Sequence, residues 1–137
     1  MEKLLEGIRI FLVEDDVVNV AVYSTNLRAH GARIYKDVLG YGIVQHIKES
    51  LPIDLIVLDI MLRRGINGYD IYNQIRSEPD LKDIPVVAVT SLDPENEMPK
   101  AQGKDFDGFI SKPIDVKKFP EQLAAIIEGE KLWIVSR

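Results

Sequence analysis

The 137-residue chain is predicted to be an α/β domain of (βα)5 type. Three observations carry this. Short apolar runs alternate five times with longer segments of helical periodicity. Runs one, three and four are continuous in Val, Ile and Leu, as strands covered on both faces of a parallel sheet must be. An acid, Thr or Lys follows the end of four of the five runs, where open α/β sheets bind their ligands.

The elements follow in order. "IRIFLV" (8–13) is the first strand, ended by Glu14, Asp15 and Asp16. Residues 17–27 read as a helix closed by Gly31. "ARIYK" (32–36) is the second strand, and 41–49 a helix with Ile43, Val44 and Ile47 at helical spacing. "DLIVLD" (54–59) is the third strand, followed by a helix over 68–76 with Ile71, Tyr72 and Ile75 on one face. "PVVAVT" (85–90) is the fourth. In "SLDPENEMPKAQG", Asp93 is placed as N-cap and Pro94 at the first helical position. Pro99 then interrupts the ladder, so this helix is expected to be short, kinked or split, ending at Gly103. "GFIS" (108–111) is the fifth strand, and the last helix is expected over 116–128 with Asp115 as N-cap. Beyond Gly129, the apolar Leu132, Trp133, Ile134 and Val135 are expected to pack back on the domain. Docking to a partner or a second copy is the alternative.

Composition excludes several classes. With no cysteine there is neither disulfide nor thiolate metal site, which fits a reducing cytosol. A net charge of −5 argues against a nucleic-acid surface. No apolar run approaches membrane-spanning length, and the N-terminal residues do not resemble a signal peptide.

The strand ends carry the chemistry. Asp59 lies in an otherwise apolar run, and a carboxylate is costly to desolvate without partners. If strands one, three, four and five are neighbours, then Glu14, Asp15, Asp16, Asp59, Thr90 and Lys112 converge. Carboxylates so placed need a cation or protons. Oxygen ligands without His or Cys favour Mg²⁺, held by one or two carboxylates, waters and a phosphoryl oxygen. Thr90 and Lys112 would supply a hydroxyl and an ammonium to that phosphoryl group, and an Asp beside the metal is a candidate acceptor. Taken singly, Asp16 reads as a turn or cap. His30 and His46 read as surface residues, since no acids lie at ligand spacing. Arg63 and Arg64 read as a solvated loop.

The blocks "FLVEDD", "LIVLDIML…NGYD", "VVAVTS" and "GFISKPID" resemble the signature blocks of the receiver domain of two-component response regulators, from about Ile8 to Ile127. The resemblance implies a flavodoxin-like three-layer sandwich with a five-stranded parallel sheet of order 2-1-3-4-5. It divides the chain into a receiver domain over 1–129 and a C-terminal apolar tail over 130–137. It implies Asp59 as phospho-acceptor, Glu14 and Asp15 as the acidic pair organising Mg²⁺, and Met61 as donor of a backbone carbonyl to the metal. Thr90 and Lys112 would contact the phosphoryl group, Lys112–Pro113 would be a cis peptide, and Phe109 would be the switch aromatic. Departures from the family pattern are Arg63 where Pro is usual, a loop "RRGIN" one residue longer, Ser91 after the switch Thr, and Asp105 where Gly is common.

The function implied is a phosphorylation-switched signalling module rather than an enzyme. Its donor would be a sensor histidine kinase or phosphotransfer protein, and its setting cytoplasmic. Carrying no output domain, it would signal through protein contacts or be a fragment of a longer protein. On phosphorylation Thr90 would move toward the phosphoryl group and Phe109 rotate inward. The downstream partner would bind the face of the fourth helix, fifth strand and fifth helix, including residues 98–102 and Phe119. A Mg²⁺-dependent phosphatase of haloacid-dehalogenase type is an alternative, but the second acid it needs is replaced by Met61. A flavodoxin-type cofactor carrier lacks its phosphate cradle. A degenerate, phosphate-independent receiver is at odds with the intact Asp59, Thr90 and Lys112.

Overall fold

In the computed structural model, which describes residues 3–37 and 42–136, six parallel strands and five helices alternate along the chain. They are β1 (Arg9–Val13), α1 (Val17–Ala29), β2 (Arg33–Asp37), α2 (Ile43–Ser50), β3 (Leu55–Leu58), α3 (Gly68–Ser77), β4 (Val86–Thr90), α4 (Pro94–Gly103), β5 (Gly108–Ser111), α5 (Phe119–Ile127) and β6 (Leu132–Ile134). The start expected for the second helix, Tyr41, lies outside the described residues. The sheet order is β2-β1-β3-β4-β5-β6, so the expected order holds for the first five strands and a sixth is added at the β5 edge.

Alternate residues of each central strand feed two cores. Phe11, Val13, Ile56, Leu58, Ala88 and Phe109 face α2, α3 and α4. Ile10, Leu12, Val57, Val89 and Ile110 face α1 and α5 through Tyr23, Leu27, Phe119, Leu123 and Ile126. The continuous apolar runs are thus consumed on both faces, as three layers require.

Three expectations are corrected. α4 is not split at Pro99 but runs as one helix from Pro94 to Gly103. Pro99 sits on the exposed side, so the Glu95 carbonyl it leaves without a donor can be hydrated. The last helix begins only at Phe119. Asp115 instead caps the preceding turn, accepting from the Lys117 amide at 3.0 Å, while its carbonyl accepts from the amides of Lys118 and Phe119. Phe119 is fully buried against Tyr23, so it belongs to the core and not to an exposed partner surface.

The apolar segment after Gly129 does pack on the domain, as a strand. Gly129, at φ 106°, closes α5 as its N–H bonds the Ile126 carbonyl and the Glu130 N–H bonds that of Ala125. β6 then pairs in parallel with β5, with Leu132, Trp133 and Ile134 opposite Gly108, Phe109 and Ile110. Gly108 makes this approach possible: a Cβ there would lie 2.7 Å from Ile126 Cδ1 and 3.2 Å from the Leu132 carbonyl. Trp133 packs with the α4-side core, Leu132 and Ile134 with the α5-side core. Removing residues 131–137 is expected to lower the unfolding free energy by about 2–4 kcal/mol, the worth of three half-buried apolar side chains. Urea denaturation measures it, and an unchanged midpoint would show that β6 adds no stability.

Candidate functional site

Parallel pairing brings the strand ends together. Val13 of β1 registers with Leu58 of β3, and the Asp59 N–H continues the ladder to the Val13 carbonyl at 3.0 Å. Thr90 of β4 registers with Ser111 of β5, and the Lys112 N–H bonds the Thr90 carbonyl at 2.8 Å. Glu14, Asp59, Thr90 and Lys112 therefore leave four adjacent strands at one level.

Lys112 Nζ donates to Glu14 Oε1 at 2.7 Å and to Asp59 Oδ2 at 2.9 Å. One ammonium thus serves two carboxylates, which are only 3% and 6% exposed. Burial would lower the Lys112 pKa, but the two carboxylates together hold it above the ordinary lysine value. Burial raises the Glu14 carboxyl, Lys112 pulls it down, and the Asp59 charge pushes it up again, leaving it above its ordinary value. The site is short of positive charge.

The remaining strand-end acids have separate duties. Asp15 Oδ2 accepts from the Arg63 amide, so the side of this carboxylate is fixed by the β3–α3 loop. Asp16 is the N-cap of α1, accepting from the amides of Val18 and Asn19. Asp59 Oδ1 accepts from the Met61 amide at 3.1 Å. Among the described residues no three acidic or imidazole groups form a ready-made metal cage; Asp15 bonds the Arg63 backbone amide and Glu14 bonds Lys112. The donor chemistry nevertheless fits Mg²⁺. The available donors are all oxygens, the carboxylate charge is under-compensated, and this ion brings waters of its own.

Thr90 is fully buried, and its hydroxyl accepts from the Leu92 amide at 3.3 Å. Lys112–Pro113 is cis, as is Leu51–Pro52. Phe109 is fully buried. The Pro-less loop turns through Arg64 at φ 62° and Gly65 at φ 70°, closed by the bridge between Met61 and Asn67. Asp105, where Gly is common, has φ 65° and pairs with Lys131. His46 does have an acid partner: its Nδ1 lies 3.0 Å from Asp37 Oδ2, with the ring edge-on to Phe11.

Several contributors escaped sequence reasoning. Asn19 Nδ2 bonds Glu14 Oε1 at 3.3 Å. It carried no signal beyond its place one turn after the acids. Tyr23, its phenol pushed up to about 12 mainly by burial, lines a cavity of about 370 Å³ beside Lys112 with Asn19, Val22, Ser91 and Val116. Gly68 was legible only as a helix start, yet a Cβ there would stand 2.5 Å from the Asp59 carbonyl oxygen and 2.6 Å from Ile60 Cα. Its bareness lets α3 press against the backbone that carries Asp59.

The model of the response regulator receiver domain matches residues 10–124. The polar-differentiation response regulator DivK of Brucella ovis is 26% identical over 118 residues, covering 86% of this chain and 94% of that protein. Among solved structures, the receiver domain of sensor histidine kinase PA1611 from Pseudomonas aeruginosa, with a magnesium ion coordinated in its active-site cleft, is 25% identical. Its TM-score is 0.78, with 90% of this chain and 99% of that one covered. The N-terminal domain of the nisin resistance regulator NsrR, a lantibiotic response regulator, is 29% identical at TM-score 0.76, covering 89% and 99%.

The shared ammonium makes two opposite expectations. Lys112→Met strands two buried carboxylates and should cost about 3–5 kcal/mol at neutral pH. Because the raised Glu14 carboxyl takes up a proton more readily folded than unfolded, that penalty should shrink as pH falls from 7 toward 4.5, its ordinary value, and change no further through Glu14 below it. Asp59→Asn removes a competitor for Lys112 and should leave stability within about 1 kcal/mol of the parent or above it. Denaturant titrations at pH 7 and pH 5 test both.

Proposed function

The chain belongs to the response regulator receiver domain family, and on that premise we propose that it is a phosphorylation-switched signalling module whose acceptor is Asp59. The observation that carries this is the bridge from Lys112 Nζ to Asp59 Oδ2, beside Glu14, at the carboxyl end of the sheet. The donor is a histidine kinase or a phosphotransfer protein, and the setting is cytoplasmic. No described helix is long and apolar enough to cross a membrane.

The chemistry asked of the chain is positioning and charge neutralisation. An Asp59 carboxylate oxygen attacks the phosphorus of a phosphohistidine. The O–P bond forms as the N–P bond breaks, and the imidazole leaves with the electron pair and takes up a proton. Lys112, already on Asp59 Oδ2, moves with its charge to the phosphoryl oxygens. The Thr90 hydroxyl, buried at the end of β4, donates to another oxygen. The Met61 amide holds Asp59 Oδ1, which fixes the rotamer of the acid. Glu14, Asp15, Asp59 and the Met61 carbonyl would hold Mg²⁺, whose charge offsets that of the incoming phosphoryl group.

The donor must reach Asp59 across the strand ends, and the surface there is apolar. Val17 and Val18 at the start of α1 are 70% and 66% exposed, and Val116 beyond Pro113 is 47% exposed. Val116 lines the cleft beside Lys112, and Val17 and Val18 open the helix whose Asn19 and Val22 line it, an arrangement suited to a partner's apolar side chains. Downstream recognition is assigned to the face of α4, β5 and α5, here overlaid at the sheet edge by β6.

A small phosphodonor with Mg²⁺ should label the chain once, at Asp59, as read by mass spectrometry of the intact chain and its peptides. Asp59→Asn should abolish the label with the fold intact, and a label that persisted would refute the assignment. Asp15→Asn should raise the Mg²⁺ concentration needed for half-maximal labelling by about tenfold or more.

A further inference from the structure

The apolar segment that pairs with β5 also reaches the acceptor site. At its near end Lys131 pairs with Asp105, in the turn between α4 and β5. Both groups are exposed, so this tie is weak. In the middle Trp133 registers with Phe109 and packs on the α4-side core, which seals Phe109 from solvent. At the far end the Ser136 N–H donates to the Ser111 hydroxyl. Ser111 immediately precedes Lys112, whose ammonium holds Asp59 and whose N–H holds the Thr90 carbonyl. The last anchor of the segment is thus bonded to the neighbour of the site's only described cation partner.

That far end is loosely filled. A cavity of about 420 Å³ lies between Ile134, Val135 and Ser136 on one side and Ile114, Lys118 and Gln122 on the other. Gln122 Oε1 is buried without a hydrogen-bond partner, and Val135 is 41% exposed. A group of about −1.5 to −2 charge on Asp59 draws Lys112 and Thr90 toward it. Both belong to the ends of β4 and β5 that position Ser111, and little packing beneath Ser136 resists a change there.

We propose that β6 is a strap over the β5 edge which loosens when Asp59 is phosphorylated, uncovering that edge between α4 and α5. This rests on Asp59 being the acceptor. The strap makes the output surface conditional: with β6 in place the ladder side of β5 is already paired, and a partner strand gains access only as β6 leaves.

Trp133 is the sole tryptophan and reports on the strap directly. The full chain is treated with Mg²⁺ and beryllofluoride, and the adduct is followed separately by fluorine NMR. Acrylamide quenching of Trp133 should rise severalfold, and its emission should shift to the red. Amides of residues 132–134 should exchange faster while those of 86–90 keep their protection. Asp59→Asn should show neither adduct nor change. Ser111→Ala, without beryllofluoride, should already raise quenching part of the way. An adduct that leaves Trp133 and the β6 amides unchanged overturns the strap and spares the acceptor; absence of an adduct on the parent chain overturns both. Ser111→Ala indistinguishable from the parent overturns the route through Ser111.

Discussion

One ammonium between two buried carboxylates organises this molecule. Lys112 enters from the end of β5, Glu14 from the end of β1 and Asp59 from the end of β3, and no two of the three are near in sequence. Their meeting requires β3 and β4 to lie between β1 and β5, and the registers to bring the strands to one level. The arrangement stabilises itself poorly, since the charges are two against one and little exposed. What it gains is a demand for more positive charge, met by a divalent ion, or for relocation of the existing charge when a phosphoryl group arrives. Stability at this site is surrendered to responsiveness.

The surrounding helices hold that arrangement without bonding the acceptor's carboxylate. Arg76 of α3 spans three elements: its guanidinium bonds the carbonyls of Lys82 and Ile84 and the Asp107 carboxylate, and lies over the Tyr72 ring. Tyr72 in turn stacks on Phe106 at 3.9 Å and reaches the carbonyls of Lys104 and Asp105. Tyr69 donates to Glu97 at 2.9 Å, tying α3 to α4. These ties supply what propensity denies α4, a helix with an internal proline and few apolar residues.

Much of this was legible. Unalternating apolar runs stated a doubly covered sheet, and acids at their ends stated where a ligand would sit, because both follow from local pattern. Asp16 read correctly as a cap for the same reason. Pro99 misled because the cost of a helix proline depends on where its orphaned carbonyl points, and only the tertiary structure places it toward water. Asp115 misled because a cap residue signals a turn as readily as a helix. Leu132, Trp133 and Ile134 were recognisable as apolar, but three residues have no periodicity from which a strand could be read. Gly68 carried no chemical signal. Its role is an absence of atoms, visible only once the Asp59 backbone lies beside it.

β6 also changes what kind of edge the sheet presents. With it in place the sheet ends in three residues preceded by Glu130 and Lys131, a short, charged border unsuited to pairing with another chain. Without it the border is β5, whose four residues are all buried in the intact sheet. Such an edge recruits extended peptide through main-chain hydrogen bonds. A chain stripped of β6 is therefore adhesive: with a cognate strand at hand it forms a complex, and at high concentration without one it self-associates.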